Sequence, residues 1–172
     1  MKKVGRRGRT WLKVLHILFS SVWFGAALSI TLVPFVNTNA LDGGQLYGYN
    51  AAVQLIDDYL IIPCGIGTFI TGLILCWQSA WGFFRYYWVI VTGAVTIALM
   101  VFGPVALNRW IQDSVAASKS EGLLALENQT YIHAQNNLKI FGPIQVTLIV
   151  AMVVLNATKP WGKRGAKQVP DS

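Results

Sequence analysis

The chain has 172 residues, of which 54% are hydrophobic and 12% are charged. A soluble domain carries about 25% charged residues, so this composition excludes an ordinary water-soluble protein and predicts a surface that faces lipid. Most of the basic residues behind the net charge of +7 lie near the two ends of the chain, where they set membrane topology and contact anionic headgroups. We therefore expect a lipid bilayer as a partner and no nucleic acid.

The first apolar run, residues 11–36, follows a basic tail, residues 1–10. It is longer than the ~7–15 apolar residues of a signal peptide and has no small-residue cleavage site, so it predicts a retained helix. The other apolar runs and the C-terminal basic tail cover about residues 59–77, 87–107, 140–157 and 158–172. Each run has close to the ~20 residues that a helix needs to cross a bilayer. The sequence predicts a single all-α transmembrane domain over residues 1–172, an integral membrane four-helix bundle.

The charges around these runs predict the orientation of the bundle. With the N-terminus inside, the inner segments hold eleven Lys and Arg and the outer segments hold three, while six of the seven acidic residues lie outside. Lys and Arg accumulate on the cytoplasmic side of membrane proteins. We expect an N-in/C-in protein of the plasma membrane with both termini cytoplasmic. Tryptophans typical of a membrane interface mark the inner ends of the spans: Trp11, Trp77, Trp81, Trp88 and Trp161.

The outer ends of the spans carry the less usual features. The two outer connections, residues 46–58 and 123–137, could each form an amphipathic helical extension, and we interpret Asp57 and Asp58 as a solvated helix end. A proline lies towards the outer end of every span: Pro34, Pro63, Pro104 and Pro143. Helical prolines cause kinks, so these four could splay the bundle into an outer vestibule. Alternatively, they lie where a kink costs least stability.

Histidine is the ionisable residue best placed to carry chemistry, and the chain has two. His16 lies just inside the inner interface, on a helix face shared with Ser20, Trp23 and Ala27. An ionisable residue in a span marks a functional site by default, although His16 could instead reach the headgroups or form a hydrogen bond with a hydroxyl group. His133 lies at the outer surface, so the two histidines cannot bind one metal ion within a monomer.

The segment around His16 resembles the first helix of a bacterial membrane group. Its features are Leu15-His16 and then Trp23-Phe24 seven residues further on. The group includes HemJ-type protoporphyrinogen oxidases, the CopD-like copper-resistance domain and small four-helix integral membrane proteins. The resemblance implies that His16 is a ligand of haem iron.

A haem b site needs further ligands and contacts. Trp23 shares the face of His16, Arg85 could hold a propionate, and Met152 could be the second axial ligand. Cys76, or His16 of a second copy in a homodimer, could replace Met152. The resulting hypothesis is a haem-b-binding membrane protein that handles electrons, haem or porphyrin, with oxidoreductase activity as one form of it.

Two other functions stay open on the sequence. The first is transport of a metal ion such as copper, or of a small solute, with His133, Asp57 and Asp58 at the mouth of an outer vestibule. The second is an accessory subunit that packs against another membrane protein.

Overall fold

The computed structural model describes residues 5–78 and 82–161. Four helices in this part of the chain are long and apolar enough to cross a membrane, which confirms the predicted all-α bundle of four spans. Trp81 and the distal parts of both basic tails lie outside the described residues.

The helices are longer than the predicted spans, and two of them contain a π-helical turn. The elements in chain order are α1 (Arg6–Val36), a 3₁₀ turn (Asn37–Asn39), α2 (Gly43–Ile56), a π turn (Asp57–Ile61), α3 (Ile62–Gln78), α4 (Tyr87–Phe102), a second π turn (Gly103–Leu107), α5 (Asn108–Glu121), a 3₁₀ segment (Gly122–Glu127) and α6 (Gln129–Thr158).

Two of the spans continue well past the membrane on the side opposite the two termini, which the charge distribution predicts to be the outer side. The continuous helix Gly43–Gln78 has 36 residues and Tyr87–Glu127 has 41, which at ~1.5 Å per residue is roughly twice the thickness of the hydrocarbon core. Their outer parts, α2 and α5, pack against each other and against the first turns of α6. We call this three-helix unit the cap. The predicted extension at residues 46–58 is helical, whereas residues 123–137 become α-helical only from Gln129.

Side chains at the helix ends explain where the cap helices begin. Asp42 precedes α2, and its carboxylate accepts a hydrogen bond from the backbone N–H of Gln45 at 2.8 Å. Asn128 precedes α6 and accepts from the N–H of Thr130 at 2.8 Å. Both contacts are N-caps, which satisfy N–H groups that a helix leaves unpaired at its first turn.

Within the membrane, α1 packs against α3 and α6, and α6 packs against α4. Glycines bring α1 and α3 close together, as small residues do in membrane helix pairs. A Cβ at Gly67 would lie 2.8 Å from the Phe19 ring, and a Cβ at Gly65 would lie 3.6 Å from the Trp23 ring. The apolar core beside this contact contains Trp23, Ala26, Ala27, Ile61, Leu99, Ile149 and Met152.

We expect Gly67→Ala to lower the melting temperature of the detergent-purified protein, because the new methyl group overlaps the Phe19 ring. Overpacking of this kind destabilises a protein by about 1–3 kcal/mol. Gly93→Ala is the matched control, since a Cβ at Gly93 meets nothing within 4 Å. Equal melting temperatures for the two variants would contradict the close α1–α3 contact.

Candidate functional site

All four spans meet at one cavity, below the cap and at the outer end of the membrane bundle. Its volume is about 30 Å³, roughly the space of one water molecule. The lining residues come from each of the four spans and their extensions: Ile30, Thr31, Pro34, Val53, Asp57, Ile61, Gly103, Leu107, Ile111, Leu138, Gly142 and Gln145. Of the four outer prolines, Pro34 lines this water-sized cavity, whereas Pro63, Pro104 and Pro143 are not among its lining residues. We call it the central cavity.

Asp57 contributes a carboxylate to the central cavity. Its side chain is 6% exposed, and Asn108 Nδ2 donates a hydrogen bond to Oδ2 at 2.8 Å. Gln112 orients Asn108 by donating to its Oδ1 at 2.6 Å. The interpretation of Asp57 as a solvated helix end is wrong, although it holds for the neighbouring Asp58, which is exposed.

Two π turns lie at the central cavity beside Asp57. Asp57 begins one π turn, and the second π turn, Gly103–Leu107, lines the same cavity from the next span. A π turn inserts an extra residue into a helix and shifts the faces that follow, and such turns are frequent at functional sites. Pro104 lies in the second π turn, where its missing N–H already interrupts the regular hydrogen bonds.

Other residues that carry oxygen atoms line the central cavity beside Asp57. Gln145 is 8% exposed, and its amide has no hydrogen-bond partner among the described residues. The Thr31 hydroxyl donates to the carbonyl of Ala27 at 2.7 Å, which leaves its lone pairs available. Pro34 has no N–H, so the carbonyl of Ile30 lacks the donor that a helix normally supplies four residues later. The cavity is therefore rich in acceptors.

Two apolar layers close the central cavity along the membrane normal. On the inner side lies the core that contains Trp23, Leu99 and Ile149. On the cap side lies a second cluster of buried residues, Val53, Leu107, Ile111 and Leu138. The central cavity therefore lies between two apolar layers.

The cap contains a buried amide network that the sequence did not reveal. Asn37 Nδ2 donates to Asn50 Oδ1 and to Gln135 Oε1, both at 3.1 Å. Gln135 Nε2 in turn donates to Asn50 Oδ1 at 3.1 Å and to Ser114 Oγ at 2.9 Å. These side chains come from the end of α1, α2, α5 and α6, so the network joins the outer ends of all four spans.

His16 packs on α3 and uses one ring nitrogen there. Nδ1 lies 3.1 Å from the carbonyl oxygen of Thr68 and 2.9 Å from the hydroxyl oxygen of Thr71. A carbonyl only accepts hydrogen bonds, so Nδ1 carries the proton and Nε2 keeps its lone pair. Nε2 has no hydrogen-bond partner within residues 5–78 and 82–161. This tautomer is the one that a metal-binding histidine needs.

The space around His16 does not suit a porphyrin between α1 and α3. A Cβ at Gly72 would lie 3.3 Å from His16 Cε1, so the two helices are already in contact at this point. If His16 is an axial ligand, the haem must approach it from outside the α1–α3 contact, for example at an interface with a second copy of the chain.

The other residues predicted for a haem site do not gather around His16. Trp23 and Met152 share the apolar core, where the Thr96 hydroxyl donates to Met152 Sδ at 3.4 Å. Arg85 is exposed in the inner connection between α3 and α4.

The predicted outer metal site also does not assemble. His133 is exposed in the cap, where Asn137 Nδ2 donates to its Nε2 at 2.9 Å. It does not line the central cavity with Asp57. No group of three His, Cys, Asp or Glu side chains suited to a metal ion occurs in the described part of the chain.

The model of one family, "Predicted integral membrane protein (DUF2269)", matches residues 10–160. This match shows a membrane protein family and does not extend to HemJ-type oxidases or the CopD-like domain. No curated protein and no solved structure matches the chain significantly.

Gln135→Ala tests whether the amide network holds the cap together. Removing this side chain deletes its hydrogen bonds with Asn37, Asn50 and Ser114, and each bond contributes about 0.5–1.5 kcal/mol. We expect faster hydrogen exchange of the cap amides and a lower melting temperature. Asn136→Ala is the control, because Asn136 is exposed and surface changes usually stay within about 0.5 kcal/mol. Similar exchange in the two variants would argue against the network.

Proposed function

The chain belongs to the DUF2269 family of predicted integral membrane proteins, and we propose that it binds and transports a small monovalent cation, a proton or an alkali-metal ion, through the central cavity. One observation carries this proposal: the buried carboxylate of Asp57 has no basic partner. Within the described residues, Asp57 forms no ion pair, and its hydrogen-bond donor is the neutral amide of Asn108.

Burial without a counter-ion makes Asp57 a strong site for positive charge. A charged group inside a protein is very costly unless it is paired, so such a group either takes up a proton or binds a cation. Structural carboxylates in cores are normally paired with Arg or Lys. Neither forms an ion pair with Asp57 in the part of the chain that the structure describes, so the protein would gain stability when a cation enters the cavity.

The two apolar layers suit transport better than static binding. A site closed on both sides exchanges its ion only when one layer opens, which is the basis of alternating access. We place the central cavity near the outer face of the membrane, following the orientation expected from the charge distribution. Opening of the cap layer would admit the ion from outside, and rearrangement of the core around Trp23 would release it inwards.

Asp57→Asn and Asp58→Asn are a matched pair for testing this function. For a cation that binds only the folded protein, the free energy of unfolding rises by about 2.7 kcal/mol when the cation concentration reaches 100 times its Kd. We expect the melting temperature of the wild type and of Asp58→Asn to rise when Na⁺ or K⁺ replaces a bulky organic cation, or when the pH is lowered. Asp57→Asn should be the more stable protein without small cations and should not respond to them.

A wild-type melting temperature that is insensitive to all three cations would overturn the proposal. The same conclusion follows if Asp57→Asn and the wild type respond equally, because binding would then not depend on the buried carboxylate.

Haem b binding at His16 is a second proposal, and the tautomer of His16 favours it. Its Nδ1 donates to the Thr68 carbonyl at 3.1 Å, which orients the ring and leaves Nε2 able to ligate haem iron. Bound haem would supply electron transfer or porphyrin chemistry. Since α1 and α3 are in contact at Gly72, we place the porphyrin outside this pair, with His16 of a second copy as the other ligand.

His16→Ala and His133→Ala separate this proposal from incidental haem binding. In protein purified from haem-replete cells, we expect a Soret band that sharpens on dithionite reduction in the wild type and in His133→Ala. It should be absent in His16→Ala, which lacks the proposed ligand. A colourless wild type, or an equal haem content in both variants, would remove the proposal.

A further inference from the structure

We propose that the cation is Na⁺, held without its water shell by oxygen atoms of Asp57, Gln145 and the Ile30 carbonyl. This inference rests on the proposed function, because it specifies the ion for the same cavity. It predicts both the ligands and the selectivity of the site.

The groups that line the central cavity suit a hard monovalent cation. The polar side chains among them, Asp57, Gln145 and Thr31, present oxygen atoms, which are the ligands that hard cations prefer. There is one carboxylate, so one monovalent ion neutralises the cavity, whereas a divalent ion would leave an excess positive charge. No imidazole or thiol lines the cavity, which disfavours copper and other soft metals.

The side chain of Gln145 supports a cation site independently of Asp57. The residue is 8% exposed and lines the cavity, and its amide has no hydrogen-bond partner among the described residues. Buried amides are nearly always hydrogen-bonded. A cation coordinated by Gln145 Oε1 explains why this side chain is kept inside the bundle without a protein partner.

Pro34 provides a backbone ligand. Because proline has no N–H, the carbonyl of Ile30 is left without its usual intrahelical donor, and both residues line the cavity. Backbone carbonyls released by interrupted membrane helices coordinate Na⁺ in transporters. Gly142 leaves space for the Thr31 hydroxyl, since a Cβ at position 142 would lie 3.1 Å from Thr31 Oγ1.

The size of the cavity favours the smaller alkali ion. A volume of about 30 Å³ admits one water-sized particle, so an ion must leave its hydration shell outside. K⁺ is larger than Na⁺ and needs more ligands at longer distances, which this cavity does not supply without expanding.

Pro34→Ala and Pro143→Ala are matched variants for the proposed ligand. Alanine at position 34 restores an N–H that bonds the Ile30 carbonyl, and losing an interaction with a charged group corresponds to about tenfold in affinity or more. We expect calorimetry on the purified full chain to show Na⁺ binding at least ten times weaker in Pro34→Ala than in the wild type. Pro143 does not line the cavity, so Pro143→Ala should keep the wild-type affinity.

Gln145→Leu gives a second readout that does not depend on a proline. It removes the amide oxygen while keeping a similar volume, and Na⁺ binding should again weaken by about tenfold or more. Wild-type Na⁺ affinity in both Pro34→Ala and Gln145→Leu, or equal affinities of the wild type for Na⁺ and K⁺, would overturn the inference.

The experiments distinguish failure of the Na⁺ assignment from failure of the proposed cation-binding function. If protons or K⁺ stabilise the protein through Asp57 but Na⁺ does not, the Na⁺ assignment fails and the proposed cation function stands. If no small cation acts through Asp57, both fail.

Discussion

A single carboxylate lies where the four membrane spans converge, and the need to compensate its charge constrains the structure around it. Asp57 receives a hydrogen bond from a neutral amide at 2.8 Å, which lessens the cost of burial but does not neutralise the charge. The other groups that line the cavity are the Gln145 amide, the Thr31 hydroxyl and apolar side chains, and none of them is basic. The proposed cation would neutralise the carboxylate and complete the core of the bundle.

The cap determines whether this charge is sealed from water. Val53, Ile111 and Leu138 cover the cavity, and the amide network above them joins the outer ends of all four spans. A polar network buried in this way is directional, so it fixes one arrangement of the helices where apolar packing alone would allow several. In the proposed function, entry of an ion would require the helices below this network to separate, which would couple ion entry to movement of the cap.

The spans could be predicted because charge is almost absent inside them. The helices of the cap could be predicted only in part. The continuation of the third span into α5 was not predicted. Arg109 and Asp113 mark where the chain leaves the membrane, but a helix can continue beyond that point. Asp57 was misjudged because it and Asp58 both lie near the predicted outer interface, which favoured the interpretation of a solvated helix end. The signal was present in the spacing of Asn50, Val53, Asp57 and Ile61, every three or four residues on one buried face.

Contacts between distant segments could not be predicted from local patterns. Gln145 and Asp57 lie on different spans, and only the packed bundle places both at one cavity. The same holds for Asn37 and Gln135, which are 98 residues apart in the chain and bonded at 3.1 Å. The pairing of His16 with the Thr68 carbonyl likewise depends on how α1 and α3 pack.

Charge displacement in proteoliposomes tests the central claim most directly. The protein would be reconstituted and adsorbed to a solid-supported membrane, and a rapid jump in Na⁺ concentration applied at constant ionic strength. Our account predicts a transient current in the wild type that is lost in Asp57→Asn, because the ion moves into the membrane only where the buried carboxylate receives it. A wild-type protein without current for any small cation, or an equal current in Asp57→Asn, would contradict it.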